Sequence, residues 1–169
     1  MADPTAICVE SIHIMATGDP TAFAAVVHPE AVNREAKDEP PACRGRGPAA
    51  YYATSLWLRA AYSDLRWEIH DTVADGNLVA VHATMRGRHT GDFVAYGPDG
   101  TVEAVFPPTG QTFATTQSHW FRVVDGMVIE HWANRDDLGT AKQLGWVPPT
   151  PLYLLRSALA RRRARSAHA

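Results

Sequence analysis

The chain has 169 residues, 46% hydrophobic and 20% charged, a size and balance that suit one compact domain and exclude wholesale disorder. No apolar run approaches the roughly 20 residues that span a bilayer. Met1-Ala2-Asp3-Pro4 lacks the basic-then-apolar layout of a secretory signal, so a soluble, cytoplasmic protein with no membrane partner is expected. The formal charge of −2 is uneven: residues 156–169 hold five Arg and no acid, leaving 11 basic against 18 acidic residues and −7 for the rest. An acidic body is a poor platform for phosphates, so no nucleic-acid partner is expected, and the Arg-rich end reads as a solvated, frayed terminus. Cys8 and Cys43 form no CxxC pair and no zinc-type cluster, which reads as two reduced structural thiols and no metal site.

In chain order, Ile7, Val9, Ile12 and Ile14-Met15 make an irregular helical stripe between Pro4 and Thr17. Asp19 can cap a second short helix with Pro20 at its first position, and His28-Pro29 ends it. Asp38 to Pro48 reads as a loop rich in Pro, Gly and charge, and a long helix follows to about Ser63. After Asp64 the period changes to two-residue alternation, with a hairpin turn at Asp75-Gly76 and a second strand from Leu78 to Arg88. Gly91 to Gly110 is a broken connection with two short strands. Thr112–Val124 and Met127–Arg135 form a last hairpin around Asp125-Gly126. Leu138–Leu144 is a closing helical turn, and Leu152–Arg165 a terminal helix. Helices first and strands second predict an α+β domain over 1–150, with 151–169 as a basic C-terminal helix or tail.

The last hairpin carries the most chemistry. With a plain two-residue turn, His119 lies opposite Trp132 and shares a face with Asn134 and Asp136. With a single bulge it shares a face with His131, Ala133 and Arg135 instead, because a one-residue slip moves every side chain across the sheet. Both registers are open. Either one brings an imidazole, carboxylates and a guanidinium onto one curved face, the parts an acid–base site needs. A second polar cluster, Asn33-Arg34-Glu35, follows His28-Pro29; if Ala31 to Ala36 is extended, Asn33 and Glu35 share one side. Tyr51, Tyr52, Trp57 and Tyr62 read as core or interface, and Phe106-Pro107-Pro108-Thr109-Gly110 as a rigid rim or connector.

The run from Gln117 to Gly145, with Ser118-His119-Trp120-Phe121-Arg122, Glu130-His131-Trp132 and Arg135-Asp136-Asp137-Leu138-Gly139, resembles the SnoaL-like polyketide cyclases. These are also labelled ester cyclases, a group of the nuclear-transport-factor-2-like superfold. The likeness extends through His28-Pro29-Glu30-Ala31-Val32-Asn33 and Phe106–Gln111, and so from about Pro4 to Pro149. It implies a cone-shaped α+β barrel, with N-terminal helices packed in a strongly curved antiparallel sheet around an apolar pocket. It also implies an intramolecular aldol ring closure without metal or organic cofactor, in which a histidine and a carboxylate serve an enolate. His119 matches the group's histidine. The matching carboxylate belongs directly after Glu-His-Trp, where this chain has Ala133, which exchanges no proton.

The resulting expectation is a cofactor-independent acid–base enzyme acting on a hydrophobic, polyketide-like small molecule. His119 and Asp136 are the expected catalytic pair, with Asp137 and Glu35 as the other carboxylates in reach. Asn33 and Arg135 are expected to steady an oxyanion, and Glu35, His131, Phe106, Trp120 and Trp132 to complete the substrate pocket. The rivals are a binding module of the same shape, which Ala133 favours, and a purely structural dimerisation domain. A homodimer is expected in all three cases.

Overall fold

The computed structural model describes residues 4–167; the opening residues 1–3, read above for a leader, and residues 168–169 lie outside the described part. Helices α1 (Pro4–Thr17) and α2 (Pro20–Val26) lead into strand β1 (Val27–Asn33), and a short 3-10 turn (Pro41–Arg44) precedes α3 (Gly47–Ala61). Strands β2 (Tyr62–Asp75), β3 (Leu78–His89), β4 (Phe93–Tyr96), β5 (Val102–Phe106), β6 (Thr112–Val124) and β7 (Met127–Arg135) follow, then α4 (Asp137–Gln143) and α5 (Pro151–Ala167).

Local chemistry explains the boundaries. The Asp19 carboxylate accepts the Ala22 N–H at 2.9 Å with Pro20 in the first turn, so α2 starts where the capping rule puts it. Carbonyls at and just past the end of α1 receive the Arg59 guanidinium, which donates to Ile14, Met15 and Gly18 at 2.7, 2.9 and 2.9 Å. One side chain of α3 therefore ends α1 and ties the two helices together. At Gly47 the backbone has φ +76°, and a Cβ would come within 2.4 Å of the Pro29 carbonyl oxygen, so only glycine lets α3 begin this close to β1.

One sheet has the order β1-β7-β6-β3-β2, and β4-β5 form a separate hairpin. The sheet is open, with β1 and β2 at its edges, so the barrel is a cone whose strands do not close. It is also mixed, because β1 runs parallel to β7. The expected antiparallel pairing holds between β2, β3, β6 and β7 and gives way to a parallel one at this strand. No hairpin joins β1 to its neighbour, and Pro29, which has no N–H to donate, sits on an edge where that loss is tolerated. Register shifts in β2, between Ser63 and Arg66 and between Ile69 and Asp71, bend the sheet around the helices.

The concave face buries Val79, Val81, Ala83, Phe113, Phe121 and Val128 against Cys8 and Ile12 of α1. Phe23, Val26, Val27, Ala31 and Tyr51 join α2, β1 and α3 in a second cluster. Helix α5 is not a frayed terminus. Its Ala160 packs with Tyr96, Val102 and Val105 of the β4-β5 hairpin, and Tyr153 donates its hydroxyl to the Pro107 carbonyl at 3.2 Å. Apolar residues at helical spacing within the Arg-rich run, outweighed there by the charge, hold it down. No helix among the described residues is long and apolar enough to cross a membrane.

Candidate active site

Helices α1 and α3 stand off the concave face and leave a cavity of about 410 Å³, within the range of small-molecule sites. Ile12, Trp57, Leu58, Met85, Phe93 and Phe113 give it apolar walls. Phe106, an expected lining residue, is there too, its ring stacked on Trp146 with centroids 4.3 Å apart. The polar groups gather at one end, on β6, β7 and the segment after β1.

The β6-β7 register decides which groups those are. Asp125 and Gly126 both have positive φ, the mark of a type I′ turn, and β7 carries one extra residue, Ile129, between the pairs Arg122–Glu130 and Val123–Val128. The bulged alternative therefore holds: His119 pairs with Ala133, Phe121 with His131 and Gln117 with Arg135. Gln117, His119, His131 and Arg135 all line the cavity.

The same register turns Trp120 and Trp132 to the convex face, contrary to the expectation that they shape the pocket. There they pair across the strands with near-parallel rings 6.3 Å apart, and the Arg34 guanidinium lies 5.7 Å over Trp132. Asp136 is also displaced from its expected partnership with His119. Its carboxylate caps α4, accepting the Gly139 N–H at 2.8 Å, and it is absent from the cavity wall. The Asp136-Asp137-Leu138-Gly139 run is a helix start, and only Asp137 of its two acids reaches the cavity.

The buried polar chain is continuous. Asn33 Oδ1 lies 3.0 Å from His131 Nδ1, His131 Nε2 lies 3.0 Å from His119 Nδ1, and His119 Nε2 lies 2.8 Å from Gln117 Oε1. Both ends are fixed as acceptors. Asn33 Oδ1 receives the Glu35 N–H at 3.1 Å, and Gln117 Oε1 receives the Trp67 indole N–H at 3.1 Å. Two imidazoles between two acceptors need three protons to complete three hydrogen bonds, and two neutral imidazoles bring only two. The neutral chain is thus one proton short. With the shortfall at the Gln117 link, the His119 Nε2 lone pair faces the Gln117 oxygen, and a proton taken up there completes the chain.

Burial, and then the nearby Arg135 charge, hold the His119 imidazolium down to about 4. Burial, His119 and Arg135 push His131 well below the ordinary histidine value. The pair is therefore neutral at rest, the form a base requires. Arg135 itself is flanked by Glu35 at 3.5 Å and Asp137 at 3.6 Å. Asn33, Glu35, His131 and Arg135, read from sequence as site residues, all meet here.

The sequence reading missed three site residues: Gln117, Trp67 and Glu39. Gln117 stands two residues before His119, so strand alternation could have found it. Trp67 shares an alternating face with Leu65, Ile69 and Asp71, and alternation alone does not make that face a site. Glu39 lay in a loop with no period to read. It is 3% exposed and lines the cavity, and its Oε2 lies 2.5 Å from the Thr54 hydroxyl; burial, the leading cause, raises its carboxyl above the ordinary value. Cys43 beside it is pushed up to about 12, chiefly by burial, and remains a thiol. Among the described residues no three His, Cys, Asp or Glu side chains form a metal-ligand group.

This geometry has relatives. A model of the SnoaL-like polyketide cyclases matches residues 9–144. The aklanonic acid methyl ester cyclase DnrD of Streptomyces peucetius is 34% identical over 136 residues, covering 80% of this chain and 86% of the relative. The nogalonic acid methyl ester cyclase of Streptomyces nogalater is 33% identical over 100 residues, covering 59% and 67% respectively. The solved structure of TsrD from Streptomyces laurentii superposes with a TM-score of 0.66 at 23% identity, over 83% of this chain and 93% of that one, a likeness of fold. The chain belongs to the SnoaL-like polyketide cyclase family.

Proposed function

We propose that this protein closes a ring in a hydrophobic polyketide ester by an intramolecular aldol reaction that draws on no cofactor. The relatives' names supply the substrate class, methyl esters of polyketide acids. His119 takes the proton from the carbon flanked by carbonyl groups, and the resulting enolate attacks a ketone carbon of the same molecule. Arg135 faces the oxygen on which charge develops, where a fixed cation in a cavity shielded from water is most effective. His131 and Asn33 orient the His119 ring, and Phe106 and the apolar walls hold the folded chain. The observation that carries the reading is the chain of four hydrogen-bonding groups, one proton short, at the polar end of an apolar cavity.

The test uses aklanonic acid methyl ester in deuterated buffer, following deuterium entry at the acidic carbon and the appearance of cyclised product. Wild-type protein is expected to do both, with or without EDTA, and His119→Ala to lose at least about 100-fold in each. Ala133, opposite His119, favours the second reading, a binding module. Saturable binding of the ester with neither exchange nor ring closure would establish that reading instead. A cytoplasmic homodimer goes with the proposal, and light scattering is expected to give twice the 18.5 kDa chain mass.

A further inference from the structure

We propose that Glu39 is the general acid of this site, delivering the proton that the new hydroxyl group acquires when the ring closes. The inference rests on the aldol reading above and names the group that reading lacks. Base catalysis by His119 accounts for the proton removed from carbon; the ketone oxygen turning into an alkoxide needs a donor. Ala133 offers none, Asp136 is spent as a helix cap, and Glu35 and Asp137 both lie against Arg135. Glu39 is the remaining buried carboxyl on the cavity wall among the described residues.

Its surroundings fit a neutral acid. The Thr54 hydroxyl has one proton and two oxygen neighbours, Glu39 Oε2 at 2.5 Å and the Ala50 carbonyl at 3.3 Å one helical turn back. A carbonyl can only accept. With that proton toward Glu39 the hydroxyl donates across the short contact; with it toward the Ala50 carbonyl, a proton on the carboxyl carries the contact instead. Burial favours the protonated carboxyl. It outweighs the Thr54 hydrogen bond, the Arg135 charge and the Cys43 thiol, which pull the carboxyl down, and Glu35 pushes it up; Arg135 is itself matched by two carboxylates.

The loop that holds Glu39 is fastened rather than loose. The Arg44 guanidinium donates to the Glu39 carbonyl at 3.0 Å and to the carbonyls of Gly97 and Pro98 at 2.8 and 3.0 Å, and the Tyr96 N–H donates to the Asp38 carbonyl at 3.0 Å. An acid held this firmly can be aimed.

The step balances. The C–H electron pair becomes the new C–C bond, the carbonyl π pair moves onto oxygen, and that oxygen takes the Glu39 proton. The proton gained by His119 then returns to the Glu39 carboxylate, directly or through solvent, before the next turnover.

The experiment separates the two roles. In deuterated buffer with aklanonic acid methyl ester, Glu39→Gln is expected to keep deuterium exchange within about threefold of wild type while ring closure falls about 100-fold or more; His119→Ala loses both. If Glu39→Gln does not fold, Glu39→Asp, one methylene short, is expected to show the same split. Ring closure at the wild-type rate in the folded variant overturns the acid role and leaves the functional reading standing. A wild-type protein that neither exchanges nor cyclises the ester overturns that reading, and this role with it. Without any substrate, the infrared spectrum at pH 7 is expected to carry a protonated-carboxyl band that Glu39→Gln removes; its absence overturns the proposal.

Discussion

His119 and Glu39 are buried at opposite costs, and pH tells them apart. An unfolded histidine titrates near 6.5, whereas folded His119 titrates at about 4. Stability contributed by the neutral imidazole is therefore complete above about 6.5 and is lost as pH falls toward 4, where the unfolded chain binds the proton first. Glu39 runs the other way: its raised carboxyl favours the folded state at low pH and works against it as pH rises. Glu39→Gln is accordingly expected to melt higher than wild type at pH 8, with the gap shrinking at pH 5, as followed by circular dichroism. The proposed role of His119 as base predicts a ring-closure rate (kcat/KM) that falls tenfold per pH unit below about 4. Asn33→Ala removes the acceptor that fixes the His131 tautomer and is expected to cost about 1–3 kcal/mol in denaturant unfolding, because it leaves a buried N–H unpaired.

At the scale of elements, the site depends on one residue that touches nothing catalytic. Ile129 is the extra residue that places His131, Ala133 and Arg135 opposite Phe121, His119 and Gln117. Inserting one further residue after it is expected to turn Trp132 inward and His131 and Arg135 outward, abolishing ring closure. Tryptophan fluorescence, shifted to the blue as Trp132 is buried, checks the flip independently of activity. Arg59 makes a comparable join between helices. Arg59→Ala removes three hydrogen bonds from the end of α1, where the Ile14 carbonyl keeps the Gly18 N–H, and is expected to lower unfolding free energy by about 1–3 kcal/mol.

For the molecule as a whole, α5 extends the fold past the match at residues 9–144. It covers the β4-β5 hairpin, whose Phe93 and Phe106 also line the cavity, and Tyr153 grips the loop after Phe106 through Pro107. A chain ended at Pro149 is expected to lose about 2–4 kcal/mol from the exposure of Tyr153, Ala160 and their partners, measured by urea unfolding. Its KM for the ester is expected to rise more than its kcat falls, because the helix supports the wall and not the acid–base groups.

Much of this was written locally. The Asp19 cap, the two glycine-containing hairpin turns and the alternation that puts Gln117, His119 and Phe121 on one face each depend on residues within a few positions of one another, so the α+β order and that shared face follow from the sequence. The bulge at Ile129, the parallel docking of β1 and the capping role of Asp136 depend on which backbone groups meet across the fold. A turn motif alone does not determine them. Glu39 is the clearest case. The Pro-rich loop around it carries no period that points inward, and only the packing of α3 and the β4-β5 turn over that loop removes it from water. Sequence determined which groups could trade protons. Tertiary structure decided which of them are dry enough, and near enough to one cavity, to do so, because desolvation is a property of everything that surrounds a side chain and not of its place in the chain.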